Sequence, residues 1–251
     1  MRFFKIFLGV IVYCFIKRQE KHTEHWKGFL LLELNGKVEE MVVALENRFG
    51  VPQRKSDIDP LSNLILTVLS QSTNNKNRDA AYERLREKFP EWEQVMNANV
   101  KEVEDAIRPG GLAKQKSERI QDILKWIYQE YGSFNIDSLC EMNPDEAIER
   151  FCQLKGVGIK TITVVLMFSC GVDVFPVDTH VHRICRLVGL VPEKVSAEKT
   201  YWLMRPLVPA GKSFSLHMNL LKLGRTICLA RKPRCEQCPI HHLCHYYQKI
   251  F

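Results

Sequence analysis

The chain has 251 residues, of which 45% are hydrophobic and 26% are charged. A chain of this length can bury a sizeable core, and this composition excludes a fibrous or largely disordered protein. The formal net charge at pH 7 is +7, and the charge is distributed unevenly along the chain.

Most of the positive charge lies in the C-terminal part. Residues 1–150 carry 22 Lys and Arg against 24 Asp and Glu, a net charge of −2, whereas residues 151–251 carry 14 against 5, a net charge of +9. This asymmetry favours a polyanionic partner, with nucleic acid first and an anionic membrane surface second. A solvated basic face is the alternative that charge alone leaves open.

The first 30 residues form an N-terminal extension of unknown role. Their apolar run, from Ile6 to Ile16, is too short to span a bilayer and is followed by basic residues. The extension also lacks the small-residue cleavage site of a secretory signal. The alternatives are an anchor to a membrane surface, a poorly structured extension, or translation from an upstream start with Met41 as a later start. We expect no stable membrane association.

From residue 36 onward the sequence predicts a succession of helices separated by Gly, Pro and Asn. In chain order the predicted helices are NGKVEEMVVALENRFG, DPLSNLILTVLSQST, NKNRDAAYERLREKF, VKEVEDAIRPGGL, KSERIQDILKWIYQEYG and NPDEAIERFCQL. The segment TITVVLMFSCGVDVFPV is rich in β-branched residues, but no strand signal lies beside it, so a buried helix is favoured. The predicted fold class is all-α.

The nine cysteines fall into two groups. Five are scattered, mostly among apolar neighbours, and we expect them to be buried free thiols: Cys14, Cys140, Cys152, Cys170 and Cys185. The other four lie within 17 residues, spaced C-x6-C-x2-C-x5-C: Cys228, Cys235, Cys238 and Cys244. Such clustering predicts metal ligation in a reducing cytoplasm. Four thiolates can bind a zinc ion or an iron–sulfur cluster, and from chemistry alone zinc is the safer choice.

The segment LKGVGIKT, residues 154–161, joins two predicted helices. Gly156 and Gly158 can take the positive φ that a tight turn between closely crossing helices requires. Such a turn leaves the backbone N–H groups of residues 156–160 unpaired at the start of the second helix, where they can bind a phosphate. From these residues alone, a plain helical hairpin and a phosphate site are equally open.

Three motifs occur in one order along the chain: LKGVGIKT, then PVDTHVHRI at residues 176–184, then the four-cysteine cluster. With this set, the chain over about residues 36–248 resembles the endonuclease III branch of the helix-hairpin-helix DNA glycosylases. The resemblance implies a 4Fe-4S cluster on the four cysteines. It also implies a monomer in the cytoplasm, at the nucleoid in a prokaryote, that acts on double-stranded DNA containing a damaged base or an abasic site.

The resemblance further implies a two-lobed, all-α helix-hairpin-helix glycosylase fold. A helical barrel lobe would span residues 52–173, with the helix-hairpin-helix at 146–168. A 4Fe-4S cluster lobe would be built from residues 31–51 and 174–251. The DNA-binding cleft would lie between the two lobes.

In this family a lysine and an aspartate carry the chemistry, and the matching residues are Lys160 and Asp178, eighteen positions apart. A deprotonated lysine can displace the base and form a Schiff base with the sugar, after which β-elimination nicks the strand. Asp178 would stabilise positive charge on the sugar and assist proton transfer. Considered singly, Lys160 could be a solvent-facing or phosphate-binding lysine, and Asp178 could cap a helix at 179–188.

Other positions match the DNA-contacting residues of the family. An extruded base leaves a gap in the stack, and the resemblance implies that Gln71 and Leu112 enter it. The hairpin residues Gly156, Val157 and Gly158 would bind a phosphate. The loop between the first two cluster cysteines carries three further basic residues that would contact phosphates, unless they are merely solvated: Arg231, Lys232 and Arg234.

The substrate that the resemblance implies is a damaged, oxidised pyrimidine. Three departures from the family pattern put the base preference in doubt: Lys155 replaces a proline, Asn74 an aspartate and Ala113 an aromatic residue. A mismatch or alkylated-base glycosylase is one alternative. A non-catalytic DNA-binding protein and a zinc-stapled interaction module are the others.

Overall fold

The computed structural model describes residues 21–54 and 58–250, with side chains from residue 31 onward. Its described part is helical and contains no strand, which confirms the all-α class. The first 20 residues, with Cys14, lie outside the described range. No helix within that range is long and apolar enough to cross a membrane.

Twelve α-helices make up the described part, with short 3-10 turns at four places between them. The α-helices are α1 Lys21–Phe49, α2 Pro60–Leu69, α3 Asn75–Lys88, α4 Trp92–Asn97, α5 Val100–Ile107, α6 Ala113–Tyr131, α7 Pro144–Phe151, α8 Ile159–Phe168, α9 Thr179–Val188, α10 Ala197–Met204, α11 Ser213–Thr226 and α12 His245–Ile250. The 3-10 turns are Arg108–Gly110, Asp137–Glu141, Cys235–Gln237 and His241–Leu243.

Helix α1 begins earlier than its sequence pattern indicates. The apolar spacing starts at Val38, but the helix already runs from Lys21 and passes through Gly36. It packs against α11, and the Lys212 ammonium of the loop before α11 lies 3.0 Å from the Glu46 carboxylate. Gly50 ends the helix with φ +83°, the left-handed conformation expected of a glycine at this position.

Helices α2 and α8 pack against each other in the core. Asp59 caps α2 by accepting a hydrogen bond from the Ser62 N–H at 2.8 Å, and nine of the ten residues of this helix are buried. The segment of uncertain type is helical over Ile159–Phe168, as predicted, but its remaining residues, 169–177, are not. Gly171, with φ +70°, lies within that irregular part.

The expectation of free thiols is wrong for two of the scattered cysteines. Cys140 and Cys170 form a disulfide, with Cα atoms 4.8 Å apart and a sequence separation of 30. The 3-10 turn that contains Cys140 lies beside the end of α8, a proximity that no local pattern reveals. Cys152 and Cys185 are free, and burial raises the pKa of these thiols to about 11 and about 12, so both are protonated at neutral pH.

Helix contacts divide into two groups. Helices α2 to α8 pack mainly among themselves, whereas α1 packs on α11, and α9 packs on α10, α11 and α12. Helices α8 and α10 also touch each other. The division into a barrel lobe over 52–173 and a cluster lobe over 31–51 and 174–251 is a proposal that this contact pattern supports.

Candidate active site

The hairpin between α7 and α8 differs in two details from the sequence expectation. Gly156 has φ +87°, but Gly158 has φ −114° and is extended, so only one of the two glycines is in the left-handed region. The Val157 N–H donates to the Leu154 carbonyl at 3.0 Å, and the Val157 side chain is buried. Val157 therefore closes the turn and packs in the core, and its N–H is not free for a phosphate.

Lys160 lies in the first turn of α8, directly after the hairpin. Its side chain is half-buried, and burial lowers the pKa of the ammonium from the ordinary lysine value. The Asp178 carboxylate opposes this shift, whereas the Arg78 guanidinium adds to it. A lowered pKa raises the fraction of neutral amine, which is the nucleophilic form.

Asp178 is the N-cap of α9, with its carboxylate accepting a hydrogen bond from the Val181 N–H at 2.8 Å. Asp178 therefore does cap this helix, which is the structural role that the sequence left open for it. The same carboxylate also acts electrostatically on Lys160, because it tends to raise the lysine pKa. A cap uses one oxygen of the carboxylate, so capping and a role beside the lysine are compatible.

His217 is a buried residue near this pair that the sequence reasoning missed. Its Nδ1 lies 2.9 Å from the Pro176 carbonyl oxygen, two residues before Asp178, so the imidazole donates this hydrogen bond. Burial lowers the pKa of His217 to about 4, with the Asp178 charge opposing the shift. A neutral imidazole thus holds the segment that leads to Asp178. The only sequence signal was a histidine inside the apolar run of α11.

Gln71 and Leu112, the two residues expected to enter DNA, occupy different settings. Leu112 has φ +49° and an exposed side chain (55% accessible) directly before α6. Gln71 is half-buried: its amide nitrogen donates to the Gly156 carbonyl at 3.0 Å, and its oxygen accepts from the Arg119 guanidinium at 3.1 Å. The structure therefore ties Gln71 directly to the hairpin, and it adds a second partner, Arg119, that the sequence reasoning missed.

The four clustered cysteines line one cavity, together with Leu187, Ile227, Pro233, His241, Tyr246 and Tyr247. Among the described residues, no three His, Cys, Asp or Glu side chains are placed to ligate a single metal ion. Four cysteine thiols that line one cavity are the donor set of an iron–sulfur cluster. The residues present therefore fit an iron–sulfur cluster.

Arg183 fixes the start of this cysteine loop. Its guanidinium donates to the Cys228 carbonyl at 2.6 Å and to the Gly224 carbonyl at 3.1 Å, so α9 is joined to the first ligand residue. Burial raises the pKa of the Cys228 thiol, and the Arg183 charge opposes this shift. Between Cys228 and Cys235 the basic residues of the loop are exposed: Arg231, Lys232 and Arg234.

Two family models match this chain. The model of the HhH-GPD superfamily of base excision DNA repair proteins matches residues 65–210. The chain belongs to this superfamily. The model of the iron–sulfur binding domain of endonuclease III matches residues 228–244, which contain all four ligand cysteines. By family the chain is an enzyme of the DNA glycosylase and AP lyase class, and its cofactor is a 4Fe-4S cluster.

Curated relatives and solved structures agree with this assignment. The endonuclease III of Thermotoga maritima is 32% identical over 212 residues, covering 84% of this chain and 94% of that protein. A protein of Arabidopsis thaliana whose name describes it as a DNA glycosylase is 38% identical over 168 residues, covering 67% of this chain and 57% of its own length. A solved complex of endonuclease III with DNA superposes with a TM-score of 0.74 at 25% identity, covering 86% of this chain and 97% of that one.

Proposed function

We propose that this enzyme binds double-stranded DNA at a damaged base or an abasic site, excises the base, and nicks the strand by β-elimination through a Schiff base on Lys160. The observation that carries the proposal is the setting of Lys160. The side chain is half-buried, it follows the glycine hairpin directly in the chain, and its pKa is lowered by burial although the Asp178 carboxylate acts to raise it.

The reaction of Lys160 with the damaged nucleotide needs no further reactant. The neutral Lys160 amine attacks C1′ of the sugar, the bond from C1′ to the base breaks, and the base leaves with its electron pair and takes up a proton. Loss of an amine proton and opening of the sugar ring then produce the imine. The imine acidifies the neighbouring C2′ protons, and their removal expels the 3′ phosphate.

Asp178 would act at two steps of the reaction, departure of the base and formation of the imine. Its carboxylate can stabilise the cationic sugar as the base leaves, and it can accept a proton during formation of the imine. Its backbone is held on both sides, because His217 binds the Pro176 carbonyl and the Asp178 side chain caps α9. This support lets the carboxylate keep a constant place while the substrate changes charge.

Phosphate contacts would come from two surfaces. The N–H groups of Gly156 and Gly158 lie at the N-terminus of α8, where the helix dipole favours an anion. The exposed residues Arg231, Lys232 and Arg234 lie on a loop between two cluster ligands, so their positions are restrained. One endonuclease III structure that superposes at a TM-score of 0.74 is a trapped covalent intermediate with DNA, which supports this mode of action.

The substrate that we propose is an oxidised pyrimidine, which is the substrate class implied by the resemblance to endonuclease III. Asn74, which departs from the family pattern, accepts a hydrogen bond from the Asn77 N–H at 2.9 Å and so caps α3. The asparagine side chain therefore has a structural role that an aspartate would also perform. Excision of mismatched or alkylated bases is the alternative activity, because thymine and 3-methyladenine glycosylases share the fold at identities below 25%.

A panel of lesion duplexes with a borohydride arm tests both parts of the proposal. We expect the wild-type protein to excise oxidised pyrimidines and to form a covalent adduct with DNA on reduction, and we expect Lys160→Gln to form none. Excision confined to G·T pairs or methylated purines would contradict the substrate class. An adduct that persists in Lys160→Gln would contradict the mechanism, and a wild-type protein that binds DNA without any adduct would indicate a non-catalytic binding protein.

A further inference from the structure

Lys116 is a buried lysine in α6 that the proposed chemistry does not use. Only 1% of the residue is exposed. Its ammonium donates to the Leu69 carbonyl at 2.7 Å and to the Gly110 carbonyl at 2.8 Å. Leu69 is the last residue of α2, two positions before Gln71, and Gly110 lies two positions before Leu112. One side chain thus joins the two segments that carry the residues expected to enter DNA.

Arg119 lies three residues later on the same helix and extends this connection. Its guanidinium donates to the Gln71 side-chain oxygen at 3.1 Å, and Gln71 in turn donates to the Gly156 carbonyl at 3.0 Å. Arg119 also lies against the hairpin directly, since a Cβ atom added at Gly156 would be 2.6 Å from the Arg119 Cδ. Residues three apart share a helix face, so both cations project from one side of α6.

We propose that Lys116 and Arg119 are positioning residues for base extrusion, which hold three DNA-facing segments in one arrangement. The three segments are the turn at 70–74, the loop at 108–112 and the hairpin at 152–158. The inference rests on the proposed function, because it concerns how that same site takes a nucleotide out of the stack. Neither residue is assigned a contact with DNA.

The physical cost of Lys116 argues against a role in packing alone. Burying an ammonium is unfavourable, and a methionine of similar shape would fill the same space without that cost. Burial, with a smaller contribution from the Arg119 charge, lowers the pKa of Lys116 to about 8. An apolar side chain could not donate hydrogen bonds to two carbonyl groups on separate segments, as Lys116 does. These two hydrogen bonds fix the distance between the end of α2 and the loop before α6.

Extrusion needs such a fixed distance. The flipped nucleotide, the group that fills the gap and the phosphate clamp must all be in place together, and a displacement of about 1 Å can cost roughly a hundredfold in rate. An abasic site in single-stranded DNA needs no gap to be filled, but it still reacts with Lys160. The two substrates therefore separate positioning from lysine chemistry.

The test compares single-turnover excision from a lesion duplex with borohydride trapping on a single-stranded abasic oligonucleotide. We expect Lys116→Met and Arg119→Gln to slow duplex excision by roughly ten- to a hundredfold while single-stranded trapping stays within about twofold of wild type. Lys125→Met is the matched control, because Lys125 is an exposed residue of the same helix. We expect this control to leave both rates unchanged.

A double-mutant cycle measures the energetic coupling between Lys116 and Leu112, which a purely structural role of Lys116 would not produce. If Lys116 acts through the loop at 108–112, Lys116→Met combined with Leu112→Ala should be little slower than the slower single variant. Equal losses on both substrates, fully additive effects, or duplex rates within twofold of wild type would overturn the inference. If Lys116→Met does not fold, Arg119→Gln takes its place in the test, because Arg119 is only half-buried. Recovery of the duplex rate in Arg119→Lys would then support the inference, and no recovery would overturn it. Failure of the proposed function would instead appear in the wild-type protein, as absence of any adduct.

Discussion

The side-chain amide of Gln71 donates a hydrogen bond to the carbonyl of Gly156, 85 residues further along the chain, at 3.0 Å. The oxygen of the same amide accepts a hydrogen bond from Arg119. The amide nitrogen and the amide oxygen of Gln71 are therefore both hydrogen-bonded within the protein. Insertion of Gln71 into DNA, the role implied by the family pattern, requires both hydrogen bonds to be broken or replaced.

Gln71→Leu should consequently affect the free protein as well as the reaction. The variant keeps the size of the side chain but leaves the Gly156 carbonyl and the Arg119 guanidinium without this partner. We expect the free energy of unfolding in urea to fall by about 1–2 kcal/mol and duplex excision to slow. If Gln71 served only to fill the gap in DNA, the stability of the free protein would match that of wild type.

Asp178→Asn should separate the charge of this residue from its capping function. Asparagine still accepts the Val181 N–H hydrogen bond, so α9 keeps its N-cap. The lost negative charge no longer raises the pKa of Lys160, so that pKa should fall further below 10.5. Schiff-base trapping, which needs the neutral amine, rises as pH increases through this pKa. We expect its pH profile to shift towards lower pH in the variant.

The control for this profile is Asp178→Ala, which removes the charge and the cap together. It should show the same shift in the pH profile and, in addition, a loss of about 1 kcal/mol in stability. A trapping profile that is identical in wild type and Asp178→Asn would mean that the carboxylate does not act on the lysine. Excision of intact lesions should fall in both variants, because the charge that stabilises the sugar cation is gone.

Gly156→Ala and Gly158→Ala should have unequal effects on stability. Gly156 has φ +87°, and an added Cβ would meet Arg119 at 2.6 Å, whereas Gly158 is extended and has nothing within 4 Å. We expect Gly156→Ala to lose about 1–2 kcal/mol in a urea titration and Gly158→Ala to be close to wild type. Similar losses in the two variants would contradict the hairpin geometry. A lower DNA affinity in a fully stable Gly158→Ala would support a phosphate contact at that position.

Cys235→Ser should remove the cluster and, with it, the arrangement of the basic loop. The variant lacks one of the four thiols that line the cavity. We expect loss of bound iron and sulfide on analysis of anaerobically purified protein, with weaker DNA binding at moderate salt. Cys152→Ser is the matched control, because Cys152 is a free cysteine outside this cavity and should leave the metal content unchanged. Zinc without iron or sulfide in the wild-type protein would refute the cluster assignment.

The disulfide between Cys140 and Cys170 can be tested by the same titration with and without reductant. Cross-linking residues 30 apart should add about 2–4 kcal/mol of stability. We expect reductant to lower the urea midpoint of the wild-type protein and to leave that of Cys140→Ser unchanged. Peptide mapping under non-reducing conditions should recover the two cysteines in one linked pair. Alkylation of both thiols in the untreated native protein would contradict the pairing.

Local patterns in the sequence predicted most of the helices correctly. Apolar spacing, terminal glycines and an N-cap such as Asp59 act within one or two turns, so they are visible without knowledge of the fold. The start of α1 was missed because residues 21–35 carry no clear apolar period. The end of α8 was missed because a continuous apolar run has no period that shows where a helix stops.

For the candidate site as well, the sequence revealed the local motifs but not their distant partners. The order and spacing of LKGVGIKT, the Asp178 motif and the four cysteines were sufficient to identify the family, because each motif is contiguous in the chain. The partners of those motifs were not visible. His217, Arg119, Arg183 and Lys116 are single polar residues in otherwise ordinary helices, and their partners are distant in sequence.

The sequence by itself therefore determined the all-α class, the family and the cofactor, and it singled out Lys160 as the lysine of the proposed reaction. These depend on residue types at short, regular spacings. Only the tertiary structure decided that Val157 is buried, that Gln71 is bound within the protein, that Cys140 pairs with Cys170, and that Lys116 joins two loops. Each of these facts depends on contacts between segments that are far apart in the chain, and such contacts form only when α2, α6 and α8 pack together.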